Sequence, residues 1–259
     1  MIIIFSPTKQ MNFSESSPKN EVLNSDHTPP FQKEAARLNG LLSEYSKEGL
    51  AVLMKMSLSL SEQTQRYISS FHSAQKKSAI YAYSGTSFLS LDAETLPEEA
   101  LLYGQKHLRI LSGMYGCLRP LDHISPYRLE MKTALSVGAD KNLTVFWKKR
   151  VTEFLTEDES LARKNSFILN LASGEYSRII DSTNLGRPMI TVHFREESEG
   201  GLKTVGMYAK AARGAMLRHL LLEQTEEPEE IRKMKVNNYE FSESLSDDQN
   251  WIFIRGAQR

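Results

Sequence analysis

Between His107 and Met131 the run HLRILSGMYGCLRPLDHISPYRLEM sets Arg109, Arg119 and Arg128 beside Asp122 and Glu130, among prolines, tyrosines and glycines. Neither an amphipathic helix nor a half-buried strand needs that mixture. An arginine fork grips phosphate or carboxylate with two bonds at once and keeps its charge at any physiological pH. Gly113 and Gly116 bracket Met114-Tyr115, so two positions free to take positive φ frame a tight turn just after Ser112. With its N–H groups facing outward, such a turn would hold a phosphate. Pro120 and Pro126 withhold two donors and bias the residues before them toward extended backbone, which constrains how Arg119 and Arg128 are presented. The same residues are open to a plainer reading, in which Asp122 or Glu130 holds an arginine in an internal ion pair.

Further cations lie outside this run. Lys210 and Arg213 stand three apart, sharing a helix face roughly opposite Ala209, Ala212 and Met216, with Gly214 beside them to admit a close approach. Lys9 follows the first strand on a Ser-Pro-Thr turn. Four expected strands end in serine and a breaker, at Ser6-Pro7, Ser84-Gly85, Ser112-Gly113 and Ser173-Gly174. In open α/β sheets ligands gather outside the carboxyl ends of strands, so these ends are expected to share one rim. Phosphate contacts are accordingly assigned to Lys9, Arg109, Ser112, Gly113, Tyr115, Gly116, Arg119, Arg128, Ser173, Lys210 and Arg213. Glu175, Asp122 and Glu130 are the candidates for an acid or base.

The elements that must position these groups read as a mixed α/β chain. Ile2 to Phe5, apolar on both faces, is a central strand covered on two sides. A loop to about Pro30 precedes helices over 31–45, 47–54 and beyond an N-cap at Ser61. A strand follows at 79–83, then a helix from Pro97 to Lys106, and 108–111 reads as a short strand or as the last turn of that helix. After the arginine-rich run come a helix over 143–155, a strand over 167–171, a short helix from Glu175, and a strand with one wet face over 190–195. A turn at Gly200-Gly201 closes a hairpin, Ala209 to Leu222 is helical, and 237–241 with 251–254 forms a second hairpin. The expectation is a central mixed sheet flanked by helices, in a single domain spanning 1–259.

Composition bounds the function classes. Among 259 residues, 32 basic side chains balance 32 acidic ones, so overall charge does not argue for nucleic acid. Basic residues nevertheless dominate from Leu101 to Arg150, and acidic ones from Glu223 to Asp248. Cys117 is the sole cysteine, which rules out an intramolecular disulfide and a CxxC pair and suits a reducing compartment. It is read as packing rather than as a peroxide sensor. The histidines have no local metal-ligand spacing, and no Walker loop, GxSxG or dinucleotide fingerprint occurs. No metal site or cofactor is expected. With no signal peptide and no run of about 18 apolar residues, the chain is expected in the cytoplasm, off the membrane.

The segments HLRILSGMYGCLRPLD, PYRLEM, NLASGEY (Asn170 to Tyr176) and YAKAARG (Tyr208 to Gly214), in that order after an N-terminal SPTK, resemble the bacterial YaaA peroxide-stress family, formerly a domain of unknown function. The resemblance runs essentially end to end. It implies a cytosolic protein that helps cells withstand hydrogen peroxide by keeping unincorporated iron low. It also implies DNA binding through a positively charged cleft and a helix-hairpin-helix-like element on an unusual fold.

Three readings follow. In the first, Arg109, Arg119, Arg128, Lys210 and Arg213 contact the phosphates of double-stranded DNA, largely without regard to sequence, and Gly113 to Gly116 serve as the hairpin. The second is an enzyme acting on a nucleotide or another phosphorylated small molecule at the serine- and arginine-lined rim. A third is a non-catalytic protein whose acidic C-terminal region recruits a basic partner. The first is preferred.

Overall fold

The computed structural model describes residues 1–14 and 27–256. In chain order the elements are β1 (Ile2–Phe5), α1 (Gln32–Ser43), α2 (Lys47–Leu53), α3 (Leu58–Ser70), β2 (Lys77–Ser78), α4 (Ala79–Ala82), α5 (Thr86–Leu91) and α6 (Glu98–His107). They continue with β3 (Leu108–Ser112), β4 (Gly116–Leu118), β5 (His123–Ile124), α7 (Leu143–Thr156), β6 (Ile168–Asn170), α8 (Gly174–Ser177), β7 (Met189–Ser198) and β8 (Gly201–Lys203). Last come α9 (Gly206–Glu223), α10 (Pro228–Lys233), β9 (Glu240–Phe241) and β10 (Asn250–Arg255).

An eight-stranded sheet runs β4-β3-β1-β6-β7-β10-β9, with β8 paired to β7. Its five inner strands are parallel, and β4, β8 and β9 are antiparallel additions. Helices surround it, which confirms a mixed α/β architecture. β1 pairs with β3 (Ile3 opposite Leu108) and with β6 (Ile3 opposite Leu169), and all four of its residues are buried. Burying each of Ile2, Ile3 and Ile4 is worth roughly 1.5–3 kcal/mol, which is why an unbroken apolar tetrapeptide sits at the middle of the sheet. Along β7 the alternation read from the sequence holds: Ile190, Val192 and Phe194 are buried, while Thr191, His193 and Arg195 are half-buried.

Several boundaries differ from expectation. The segment from Ala79 is not a strand: Lys77–Ser78 pairs with β5 and the chain then makes one helical turn, with Ala79 N–H and Ile80 N–H bonded to the carbonyls of Asp122 and Pro120. Every residue there is buried, so no period distinguishes helix from strand. The cap of α3 is Ser57, whose hydroxyl accepts Leu60 N–H at 3.3 Å. Ser61 instead lies inside the helix, fully buried, and bonds the carbonyl of Lys47. Most of the loop expected before Pro30 lies outside the described residues.

Helix α9 is held close to α5 at Gly214, where a Cβ would stand 1.9 Å from the carbonyl oxygen of Ser87. At its amino end Tyr208 stacks on Arg255, the guanidinium 4.6 Å from the ring centre. Arg255 is itself fixed in the interior by Glu196 at 3.0 Å. The amino end and the middle of the helix bearing Lys210 and Arg213 are thereby tied to the sheet and its cover.

Candidate functional site

Beyond the carboxyl ends of β1 and β6 opens a cleft of about 530 Å³. One wall is the segment after β1, Ser6 to Gln10, and another is the turn after β6, with Ser173, Glu175 and Tyr176. The start of α5 and Glu130 complete the walls, and Lys210 and Arg213 enter from α9. Ser173 N–H donates to Ser6 Oγ at 2.8 Å, and Ser6 Oγ–H donates to Ser173 Oγ at 3.3 Å, so two of the serine-ended strands do meet. Gly85 has a packing reason: a Cβ there would lie 2.6 Å from the Thr8 side chain.

The other two serine ends differ. Ser84 and Gly85 follow the helical turn α4 rather than a strand, although Gly85 does line the cleft. Ser112, at the end of β3, is fully buried, and its hydroxyl accepts Met114 N–H and Tyr115 N–H at 3.2 and 3.0 Å and meets Tyr127 OH at 2.8 Å. That phenol continues to Tyr83 OH at 2.7 Å, a buried relay beneath the rim.

The cations of the cleft are unequal. Lys9 lies 2.9 Å from Glu130, and Lys132 holds the other oxygen of that carboxylate at 3.2 Å. Partial burial opposes the charge of Glu130, but these two lysines outweigh it and hold the carboxyl below its ordinary range. Glu175 accepts Lys132 N–H at 3.3 Å. Lys210 and Arg213, by contrast, have no carboxylate partner among the described residues. Arg213 Nε is sequestered from water without a hydrogen-bond acceptor, and burial works against its charge. Tyr176 is pushed well above the ordinary phenol range, by burial first and then by Tyr127, Glu175 and Glu130.

A second groove of about 460 Å³ adjoins the cleft and shares Lys9 and Gln10 with it. Arg128 lines it, together with Leu60, Gln63 and Tyr67 of α3. Arg128 too lacks a carboxylate partner among the described residues.

The remaining expected contacts are elsewhere. Arg109 is buried, its Nε 3.0 Å from Asp158 and its Nη1 bonded to the carbonyls of Gln105 and Leu108, so it is held in an internal ion pair, with Asp158 rather than with Asp122 or Glu130. Arg119 is exposed above the Phe154 ring. Both line a depression of about 450 Å³ that shares no residue with the cleft and lies near the start of β1, where the Met1 amino group reaches Ser160. Two opposite ends of the sheet therefore divide the arginines expected to converge. Asp122 belongs to neither cavity: its carboxylate accepts Arg119 N–H at 2.7 Å, and burial pushes its pKa up to about 7.

Nor does the turn from Gly113 to Gly116 face outward. It joins strands β3 and β4, not helices, and Met114 and Tyr115 are buried. Trp147 covers it, donating to Gly113 O at 2.9 Å, and a Cβ at Gly116 (φ +66°) would lie 2.5 Å from that indole. A helix-turn-helix that borders the groove is α2 and α3, joined at Met54 to Ser57 with Lys55 in the left-handed region at φ 50°. In the sequence, Ser57 after a short apolar helix is the signal for this turn, in place of the expected cap at Ser61.

Fold and site define an α/β protein with a cation-bearing cleft at the carboxyl edge of a parallel strand core. The chain belongs to the YaaA family: the family described as Peroxide stress protein YaaA matches residues 1–245. A UPF0246 protein of Crocosphaera subtropica is 36% identical over 255 residues, covering 98% of this chain and all of that protein. A UPF0246 protein of Rickettsia africae is 38% identical over 256 residues with the same coverage, and one of Francisella tularensis subsp. novicida is 36% identical over 263.

Proposed function

We propose that this member of the peroxide stress family binds double-stranded DNA in the cytosol, largely without regard to sequence, and thereby takes part in limiting damage from peroxide and unincorporated iron. The observation that carries this reading is the set Arg128, Lys210 and Arg213, cations without carboxylate partners among the described residues, arranged around Lys9 in two adjoining cavities. Fixed cations of this kind replace the counterions of a phosphate backbone. The α2–α3 unit borders the same groove through Leu60, Gln63 and Tyr67. The N–H groups of Met54, Lys55 and Met56 in its turn are taken by carbonyls of α2, so the first turn of α3 is what would offer backbone N–H groups to one strand, a role the buried turn at Gly113 cannot fill.

Iron enters this reading indirectly. Among the described residues no three of His, Cys, Asp and Glu converge in a way that would hold an ion. No helix among them is long and apolar enough to cross a membrane.

The test is a titration with short duplex DNA at several salt concentrations. Each phosphate contact adds about 0.9 to the slope of log K against log salt. Changing Lys210 and Arg213 together to alanine should flatten that slope by roughly two. Arg128→Ala should flatten it by about one, and Lys55→Glu should weaken binding at the hairpin. Binding that ignores both salt and these substitutions sinks the reading.

A further inference from the structure

Arg213 is placed oddly for a residue that only meets DNA. A duplex phosphate touches cations that project from a surface, yet Arg213 lines the cleft half-buried, its Nε closed off from water without an acceptor. Arg213 as a whole is half-buried, and a partly desolvated guanidinium with no carboxylate beside it is stabilised by an anion that meets its accessible nitrogens. The serine pair beside it is pre-set: Ser6 Oγ accepts from Ser173 N–H and donates to Ser173 Oγ, which leaves the Ser173 hydroxyl hydrogen for a ligand. Lys210 lines the same space and adds a second cation.

The rest of the lining has a different character. Glu130 and Glu175 supply acceptors that suit sugar hydroxyls or an exocyclic amine, and Glu130 is held ionised by Lys9 and Lys132. Tyr176, with Pro7, supplies flat and apolar surface against which a base can stack. The cleft, at about 530 Å³, has the size usual for small-molecule sites.

We propose that the cleft is a binding site for a nucleoside monophosphate carrying an amino-substituted base, its phosphate held by Arg213, Lys210 and the Ser173 hydroxyl and its sugar and base by Glu130, Glu175 and Tyr176. The site shares Lys210 and Arg213 with the proposed DNA surface, whereas Arg128 and the α2–α3 unit belong to that surface alone.

The experiment is calorimetric titration of the full chain with AMP, adenosine and inorganic phosphate. AMP should bind at least about tenfold tighter than either fragment, because only the whole molecule engages both halves of the cleft. Arg213→Gln and Lys210→Ala should each weaken AMP about fivefold or more, while Arg128→Ala lowers the salt slope for DNA and leaves AMP affinity unchanged. Lys210 is exposed, so its variant decides the matter if Arg213→Gln does not fold. Absence of AMP binding at millimolar concentration overturns the proposal. Equal affinity for AMP and adenosine, or for AMP and free phosphate, does so too, as does AMP affinity indifferent to Lys210.

Discussion

Ser6 and Ser173 stand 167 positions apart in the chain and close on each other at the carboxyl edge of the sheet, Ser173 N–H on Ser6 Oγ at 2.8 Å. The bond fixes the turn after β6 against the turn after β1, and so sets the floor of the cleft. Ser6→Ala removes that acceptor at a half-buried position. A loss of about 1 kcal/mol is expected, which for a chain of this size lowers Tm by roughly 2–4 °C in a thermal melt. An unchanged Tm would mean that the two turns are positioned by something else.

Gly214→Ala tests the α5–α9 crossing. Alanine gains about 1 kcal/mol of helix propensity over glycine. Against this, the new Cβ would meet the Ser87 carbonyl at 1.9 Å, a backbone atom that moves only with α5. Overpacking of this kind costs roughly 1–3 kcal/mol or more, so the steric effect wins. Net destabilisation in a denaturant titration is the expected result, and a stabilised variant would refute the close packing.

Asp122 gives a pH signature. Its carboxyl is raised to about 7 from an ordinary value near 3.8, chiefly by burial, which Arg119 and Arg109 only partly offset. The folded chain therefore keeps a proton that the unfolded chain has released, and stability from this group falls as pH rises from about 4 to 7. The slope in that window is up to roughly 1.4 kcal/mol per pH unit. Asp122→Asn should flatten the decline when denaturant midpoints are measured at pH 4, 5.5 and 7. An identical pH profile would show that the site is wet or that the charge is compensated.

Cys117 should be silent in the folded protein. It lies wholly buried on β4 and burial pushes its thiol up to about 12, so the reactive thiolate is scarce at neutral pH. Thiol labelling should be negligible in the native state and stoichiometric after denaturation. Peroxide resistance conferred by Cys117→Ala should match that of the unaltered chain. Rapid native labelling would reopen a sensing role.

How much of this could be read from the chain depends on how local each cause was. Ile2 to Phe5, the alternation from Ile190 to Phe194 and the Lys210–Arg213 helix face follow from side-chain periodicity, and all appear as expected. The turn at Gly113 was misjudged because its burial depends on Trp147, which is supplied by a helix far along the chain. Arg109 likewise finds Asp158, a partner no spacing rule connects to it. Serine ended the strands as expected at Ser6 and Ser173, but whether a serine faces a cleft or the interior, as Ser112 does, is decided by what packs above it.

The central seat of β1 sets the order of assembly. It is made before either of its neighbours, residues around Leu108 on one side and Leu169 on the other. At roughly 5–20 residues per second, on the order of ten to thirty seconds pass between its emergence and that of its second partner. Throughout that interval Ile2, Ile3, Ile4 and Phe5 form a short apolar strand with no completed sheet to enter. Such long-range parallel pairing is slow to form. The nascent chain is thus a client for whatever shields exposed strands on the ribosome, and its vulnerability under stress is greatest before the cleft exists at all.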